Sequence, residues 1–177
     1  MSAVLALKQH IRRELVQPDL EFREPKNPKW KSFSLKNHGA DALLVLHFHW
    51  EGQAMFPWFE PIKGLAKCCD YAVIREHEGT LEVLLMELKS NELKGAVEQI
   101  RSGVLVCEYL VRNVFRVAPQ TCPPIRFRGL VVSKAHGQAL PHPDSKLPFK
   151  SQKVLGTDLG YMYLAPPNGQ HLSRFWL

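Results

Sequence analysis

The chain has no hydrophobic run long enough to cross a lipid bilayer. Its longest apolar stretches, such as Ala42–Leu46 and Val104–Cys107, fall far short of the roughly 20 residues that a transmembrane helix needs. The apolar start at Met1–Leu7 is followed by Lys8 and Arg12, the reverse of the basic-then-apolar order of a secretory signal peptide. We therefore expect a cytoplasmic protein that does not contact membranes.

Cysteine is sparse, and its spacing does not favour a metal site. The four cysteines, Cys68, Cys69, Cys107 and Cys122, include no CxxC pair, so a zinc or iron–sulfur site has little support. On a regular strand the adjacent side chains of Cys68 and Cys69 would point to opposite faces. Reduced, buried thiols are the interpretation that fits a cytosolic protein.

Internal repeats and low-complexity tracts are also lacking, and the composition is that of an ordinary globular protein. The 177 residues are 45% hydrophobic and 23% charged, which predicts one domain over residues 1–177. The net charge of +6 favours a polyanionic partner. Many soluble proteins without a nucleic-acid partner are equally basic, so the charge supports such a partner without identifying it.

Hydrophobic periodicity predicts a mixed α/β domain. Helices are predicted at residues 4–15 and 92–115, and strands at 42–50, 69–75, 81–89, 125–133 and 160–165. Ser90 or Asn91 can cap the second helix. The proline-containing polar segments 18–39 and 134–153 are predicted to be connections. This order indicates a mixed sheet with the second helix crossing one face.

Strands 69–75 and 81–89 are predicted to form a hairpin with its turn at Glu78-Gly79. Facing residues then have numbers that add to 157, which pairs 77 with 80, 76 with 81 and Asp70 with Glu87. Directly opposed side chains share a face, with Cβ atoms about 4.5–5.5 Å apart. Two carboxylates so placed repel each other, and a divalent cation between them removes that repulsion because Mg²⁺ takes hard oxygen ligands.

The second strand of this hairpin becomes polar at its end. Val83 and Leu85 lie on one face, and Glu87 and Lys89 continue that face, while the opposite face stays apolar. This change predicts a functional site at the margin of a sheet. Phosphodiester hydrolysis needs such groups: carboxylates that hold Mg²⁺ (or Mn²⁺), and a lysine that orients or deprotonates the water and offsets negative charge.

These residues resemble the motif of the PD-(D/E)XK nuclease superfamily. The matching positions are Cys69-Asp70-Tyr71, which open one strand, Glu87-Leu88-Lys89, which close the next, and Gln99 in the following helix. The resemblance implies a restriction-endonuclease-like αβββαβ core with a mixed sheet flanked by helices. That core covers about residues 4–133, and a C-terminal loop and strand occupy 134–177.

The resemblance also assigns a role to each matching residue. It implies that Asp70 and Glu87 hold the metal ion, with the carbonyl of Leu88 as a further ligand. Lys89 would serve the attacking water. Gln99 would approach the site from the helix, with a solvent-exposed glutamine as the alternative.

Some positions near the motif stay open. Cys69 stands where the family usually has proline. The additional acidic residue common in the family's first helix has Glu14 as a candidate and Glu60 as a rival, since spacing decides for neither. Lys63 and Lys67 precede the first motif strand and are candidates to bind the nucleic-acid backbone, with solvated lysines as the alternative.

The residues and the resemblance together predict a Mg²⁺-dependent nuclease that acts on DNA, with RNA as an alternative substrate. The small size leaves little beyond the core for sequence recognition. We therefore expect a homodimer, or a subunit that a partner protein such as an ATPase delivers to DNA in a phage-defence or mobile-element complex. The alternative is a catalytically inactive module that keeps the fold and binds protein or nucleic acid. Asp70, Glu87 and Lys89 argue against it, because a module freed from catalysis has no reason to keep opposed carboxylates.

Overall fold

The computed structural model describes residues 2–23, 32–37, 42–48, 67–90, 92–133, 149–154, 156–166 and 169–176. The helices in these ranges are α1 (Ala3–His10) and α2 (Ala96–Val117), and Arg13–Leu15 and Leu172–Phe175 are 3-10 turns. The strands are β1 (Val16–Gln17), β2 (Glu21–Phe22), β3 (Phe33–Lys36), β4 (Leu43–His47), β5 (Tyr71–His77), β6 (Thr80–Lys89), β7 (Ile125–Ser133), β8 (Lys150–Val154), β9 (Thr157–Leu164) and β10 (Gln170–His171).

Seven of the strands form one mixed sheet in the order β1-β4-β5-β6-β7-β9-β8. β4 and β6 both pair antiparallel with β5, and α2 then crosses the sheet so that β7 pairs parallel to β6. β9 is parallel to β7, and β8 is antiparallel to β9 at the edge. The predicted mixed α/β class is confirmed.

Both helices pack on one face of this sheet. Leu7 of α1 and Ile100 of α2 are fully buried there, together with sheet residues such as Leu85. Gly129 lets α2 approach β7 closely, because a Cβ atom at that position would lie 2.7 Å from Ile100 Cγ2. In the part of the chain that the structure describes, no helix is long and apolar enough to span a membrane.

Strands cover the opposite face, so the prediction of a sheet flanked by helices holds for one face only. A small sheet in the order β10-β3-β2 lies there. Phe22 pairs with Phe33 across it, and both side chains are buried in one cluster with Tyr71, Leu84 and Phe175. The prediction that residues 18–39 form a surface connection is therefore wrong where Phe22 and Phe33 enter the core.

Several predicted boundaries also differ. α1 ends at His10, and a 3-10 turn follows. α2 begins after Gly95, whose left-handed backbone (φ 76°) occupies the cap position, so Ser90 does not cap this helix. The end of the predicted loop 134–153 is the edge strand β8, whose side chains are mostly exposed. Asn91, residues 49–50 and residues 134–148 lie outside the described residues.

Candidate functional site

The β5–β6 hairpin turns at Glu78 and Gly79, as the sequence predicts. Both residues have positive φ, 47° and 71°, which is the backbone that a two-residue type I′ turn requires. Two of the predicted pairs are confirmed, since His77 faces Thr80 and Glu76 faces Leu81, whereas the predicted pair of Asp70 with Glu87 is not part of the regular ladder. Regular pairing ends at Tyr71 and Met86, one step before Asp70 and Glu87.

Asp70 lies where the two strands leave regular pairing. Its backbone N–H donates to the Met86 carbonyl at 2.9 Å, and its own carbonyl accepts from Phe48 N at 2.9 Å. The Asp70 carboxylate accepts the backbone N–H of Leu88 through Oδ2 at 2.7 Å. The side chain thus takes the place of a backbone partner of β6, and Asp70 is only 7% exposed.

Glu87 and Lys89 lie together at the end of β6. Lys89 Nζ is 2.7 Å from Glu87 Oε1, and the Glu87 side chain is 2% exposed. Alternation along β6 puts both side chains on the face that carries Leu85, which is the face covered by the helices. A carboxylate buried this deeply is costly without a charged or hydrogen-bonding partner, and Lys89 supplies one.

Gln99 joins the helix to this pair. Its Oε1 accepts from Lys89 Nζ at 2.6 Å, and its Nε2 donates to the Cys68 carbonyl at 3.0 Å. The side chain therefore faces the sheet, and the exposed alternative is wrong. One connected series of contacts runs from Glu87 through Lys89 and Gln99 to the backbone just before Asp70.

Two of the four cysteines are buried as predicted, Cys69 and Cys107, and the adjacent pair Cys68 and Cys69 lies closer together than predicted. All four are free thiols. Cys68 Sγ is 4.0 Å from Cys69 Sγ, because Cys68 precedes β5 and the alternation of a regular strand does not apply to it. Burial raises the pKa of the Cys69 and Cys107 thiols well above the ordinary value. Among the described residues, no three His, Cys, Asp or Glu side chains form a group that could hold a metal ion.

The remaining predicted site residues are not brought to this cluster in the described structure. Glu14 is exposed in the 3-10 turn after α1. Lys67 is exposed immediately before Cys68, so it lies next to the cluster in sequence. Lys63 and Glu60 lie outside the described residues.

Two contributions to the cluster escaped sequence reasoning because they come from the backbone. The Cys68 carbonyl holds Gln99, and the Leu88 N–H holds Asp70. Every residue type except proline carries both backbone groups, so the pattern of side chains in the sequence cannot predict these two contacts. Both contacts depend on the irregular pairing at Asp70. That irregular pairing forms where the ends of β4, β5 and β6 meet.

The cluster offers hard oxygen donors and one cation at the margin of the sheet. Carboxylates suit Mg²⁺ or Mn²⁺, and a lysine held beside one of them, Glu87, can orient a water or offset negative charge. Comparison with known proteins adds nothing to this geometry: no protein-family model matches the chain, and neither does any curated protein or solved structure.

Proposed function

We propose that this chain is a Mg²⁺-dependent nuclease of the PD-(D/E)XK type that hydrolyses phosphodiester bonds in DNA. One observation carries the proposal. Asp70 and Glu87 are buried carboxylates at the open end of the hairpin, and Lys89 is held beside Glu87 by Gln99. Burial of two carboxylates on adjacent strands is costly, and a divalent cation offsets that cost.

The order of the elements supports the nuclease fold. Helix α1 is followed by the antiparallel strands β4, β5 and β6, and then by α2 and the parallel strand β7. Apart from three short strands, this order agrees with the αβββαβ core that the resemblance implies, and it supports that core without establishing it. The small strands β1, β2 and β3 are inserted between α1 and β4, and they build an edge and a second layer around that core.

The residues at the end of the hairpin fit a metal ion. Leu88 donates its N–H to Asp70 Oδ2, and in an extended strand the N–H and carbonyl of one residue point toward the same neighbour. The Leu88 carbonyl therefore points toward the side on which Asp70 lies. Asp70, Glu87 and this carbonyl would hold Mg²⁺, which when bound supplies an activated water and stabilises charge on the phosphate.

The other residues of the site act on the water and on the charge. Lys89 Nζ lies between Glu87 Oε1 and Gln99 Oε1. In the proposed reaction it would orient the attacking water and offset the charge that develops on the phosphate. Gln99 fixes the position of that ammonium group and does not itself touch the reacting atoms. The net charge of +6 favours a polyanionic substrate.

A cleavage assay with matched variants tests the proposal. Glu87→Gln and Lys89→Met should each lower Mg²⁺-dependent cleavage of plasmid DNA by about 10²–10³-fold or more, because each removes a group that acts in the transition state. Glu108→Gln, on the solvent side of α2, and Lys153→Met, on the edge strand β8, are the controls. Equal cleavage by all four variants, with folding verified by circular dichroism, would show that the site is wrongly assigned.

A second observation favours the inactive module as the alternative. The same hairpin carries another buried ion pair, Arg75 Nε to Glu82 Oε2 at 2.6 Å, at a position with no nearby motif residue. A buried carboxylate in this sheet can therefore serve the fold alone. On this alternative the chain cleaves neither DNA nor RNA with Mg²⁺ or Mn²⁺, and Glu87→Gln affects only the free energy of unfolding.

A further inference from the structure

We propose that Cys68 and Cys69 are a peroxide-sensitive thiol pair, which closes to a vicinal disulfide and thereby switches the site beside it. The switching part rests on the proposed nuclease function, whereas formation of the bond does not. Their Sγ atoms are already 4.0 Å apart. Cys68 is partly exposed and Cys69 is buried, so an oxidant reaches Cys68 while Cys69 lies next to it.

Bond formation must change the backbone at this point. Disulfides usually join Cα atoms about 4.4–6.8 Å apart, whereas adjacent Cα atoms across a trans peptide are about 3.8 Å apart. The covalent chain fixes that short Cα spacing, so the Sγ atoms must approach from 4.0 Å to an S–S length of about 2.05 Å within a small strained ring. Closure of this ring is expected to turn the peptide unit between the two cysteines. That unit contains the Cys68 carbonyl, which accepts the hydrogen bond from Gln99 Nε2 at 3.0 Å.

The displaced carbonyl links the disulfide to the site. Gln99 is held at one end by Cys68 and accepts from Lys89 Nζ at the other. Loss of the first contact frees the amide to rotate and removes the fixed acceptor of Lys89. Asp70 follows Cys69 directly, so the same backbone change also shifts the carboxylate that holds Leu88 N–H.

The chemistry balances with hydrogen peroxide as the oxidant. The Cys68 sulfur attacks one peroxide oxygen, which breaks the O–O bond and gives a sulfenic acid and one water. The Cys69 sulfur then displaces the hydroxyl of that sulfenic acid, which leaves as a second water once it takes up the thiol proton. Two S–H bonds and one O–O bond are broken, and an external dithiol reverses the change by exchange.

Peptide mapping tests the bond itself. Trypsin releases both cysteines in the single peptide 68–75, and it releases Cys107 and Cys122 in peptides 102–112 and 117–126. After peroxide treatment, peptide 68–75 should be lighter by two hydrogens and should regain them with dithiothreitol. Cys122→Ser should behave like the wild type and Cys68→Ser should not form the bond. A cross-link to peptide 102–112, stable oxygen adducts on Cys68, or no change of mass would each overturn the proposal.

The link to the site has its own readouts. In nuclear magnetic resonance spectra, the Gln99 side-chain amide signals, identified by their loss in Gln99→Leu, should shift on oxidation and return on reduction. DNA cleavage should fall about 10-fold or more in the oxidised form, as for the loss of an orienting partner. An unshifted amide, or an oxidised protein that cleaves as fast as the reduced one, would overturn the switch. A bond that forms and shifts the amide in a protein that never cleaves DNA supports the thiol pair and contradicts the nuclease.

Discussion

At the scale of single residues, the site depends on how Lys89 is held. Lys89 lies between the buried Glu87 carboxylate and the Gln99 amide, at 2.7 Å and 2.6 Å. A long flexible side chain gains a defined position from two such acceptors, and loss of one acceptor leaves it mobile. On the proposed mechanism, Gln99 is a positioning residue, whose contribution is distinct from those of the carboxylates.

Gln99→Leu should lower kcat for DNA cleavage by about 10–100-fold, the usual effect of losing a group that orients a site residue. KM should change little, because Gln99 contacts the lysine and the Cys68 backbone in the described structure. Gln152→Leu on the edge strand β8 is the control. The assignment fails if kcat is unchanged, or if KM rises while kcat stays constant.

The buried thiols predict a loss of stability at alkaline pH. Burial raises the pKa of Cys69 and Cys107 well above the ordinary value of 9.0. Above that pH the unfolded chain releases thiol protons that the folded chain keeps, so the free energy of unfolding falls as pH rises.

Urea unfolding from about pH 8 to about pH 10 measures how steeply the free energy of unfolding falls with pH, which is the slope compared below. Cys107→Ser should reduce the slope, because one titrating group is removed, even though the variant is less stable at every pH. Cys122→Ser should reduce it less, since Cys122 is only partly buried. A slope that is identical in wild type and Cys107→Ser contradicts the account.

At the scale of elements, the strong periodic segments were predictable and the short ones were not. The hairpin turn, its register and strand β7 (Ile125–Ser133) follow from turn chemistry and continuous apolar runs. Strands β2 and β3 could not be predicted. They have two and four residues, too few to show a hydrophobic pattern, and they are strands because they pair with each other. The edge strand β8 was missed because its exposed side chains give no apolar pattern.

Of the candidate site, sequence reasoning could predict the face and the spacing of Glu87 and Lys89. It could also place Gln99 on the right helix, because helical periodicity extends through that residue. The departure from the register at Asp70, where a side chain replaces a backbone partner of Leu88, depends on the meeting of three strands. Local sequence patterns cannot predict contacts that depend on how distant strands pack together.

The contact of α2 with the sheet gives a test at this scale. Gly129→Ala should destabilise the protein by about 1–3 kcal/mol, the usual cost of overpacking, because the new Cβ would lie 2.7 Å from Ile100 Cγ2 and 3.2 Å from Tyr161 Cβ. Gly160→Ala is a matched control on β9, where the nearest atom, Phe149 Cβ, is 3.4 Å away. Chemical denaturation measures the free energy of unfolding of both variants. Equal stability of the two would mean that the close contact of α2 with Gly129 does not make an added Cβ atom costly.

In the molecule as a whole, the two faces of the seven-stranded sheet differ in what covers them and in whether they carry the candidate site. The face opposite the helices is filled by aromatic and aliphatic residues such as Phe22, Phe33 and Phe175, and it stabilises the sheet. The helix face carries an apolar layer that gives way to Glu87 and Lys89 at the end of β6. This arrangement holds the candidate site on a rigid support, which favours precise placement of catalytic groups.

Diffraction from a crystal soaked in Mn²⁺ tests whether Asp70 and Glu87 hold one metal ion together. We expect an anomalous peak between the two carboxylates, with their oxygens and the Leu88 carbonyl at about 2.0–2.4 Å as in other hard-cation sites. Glu87→Gln crystals soaked in the same way should lose the peak. A wild-type crystal without a peak at this position, at a Mn²⁺ concentration that saturates cleavage or exceeds millimolar, would contradict the account.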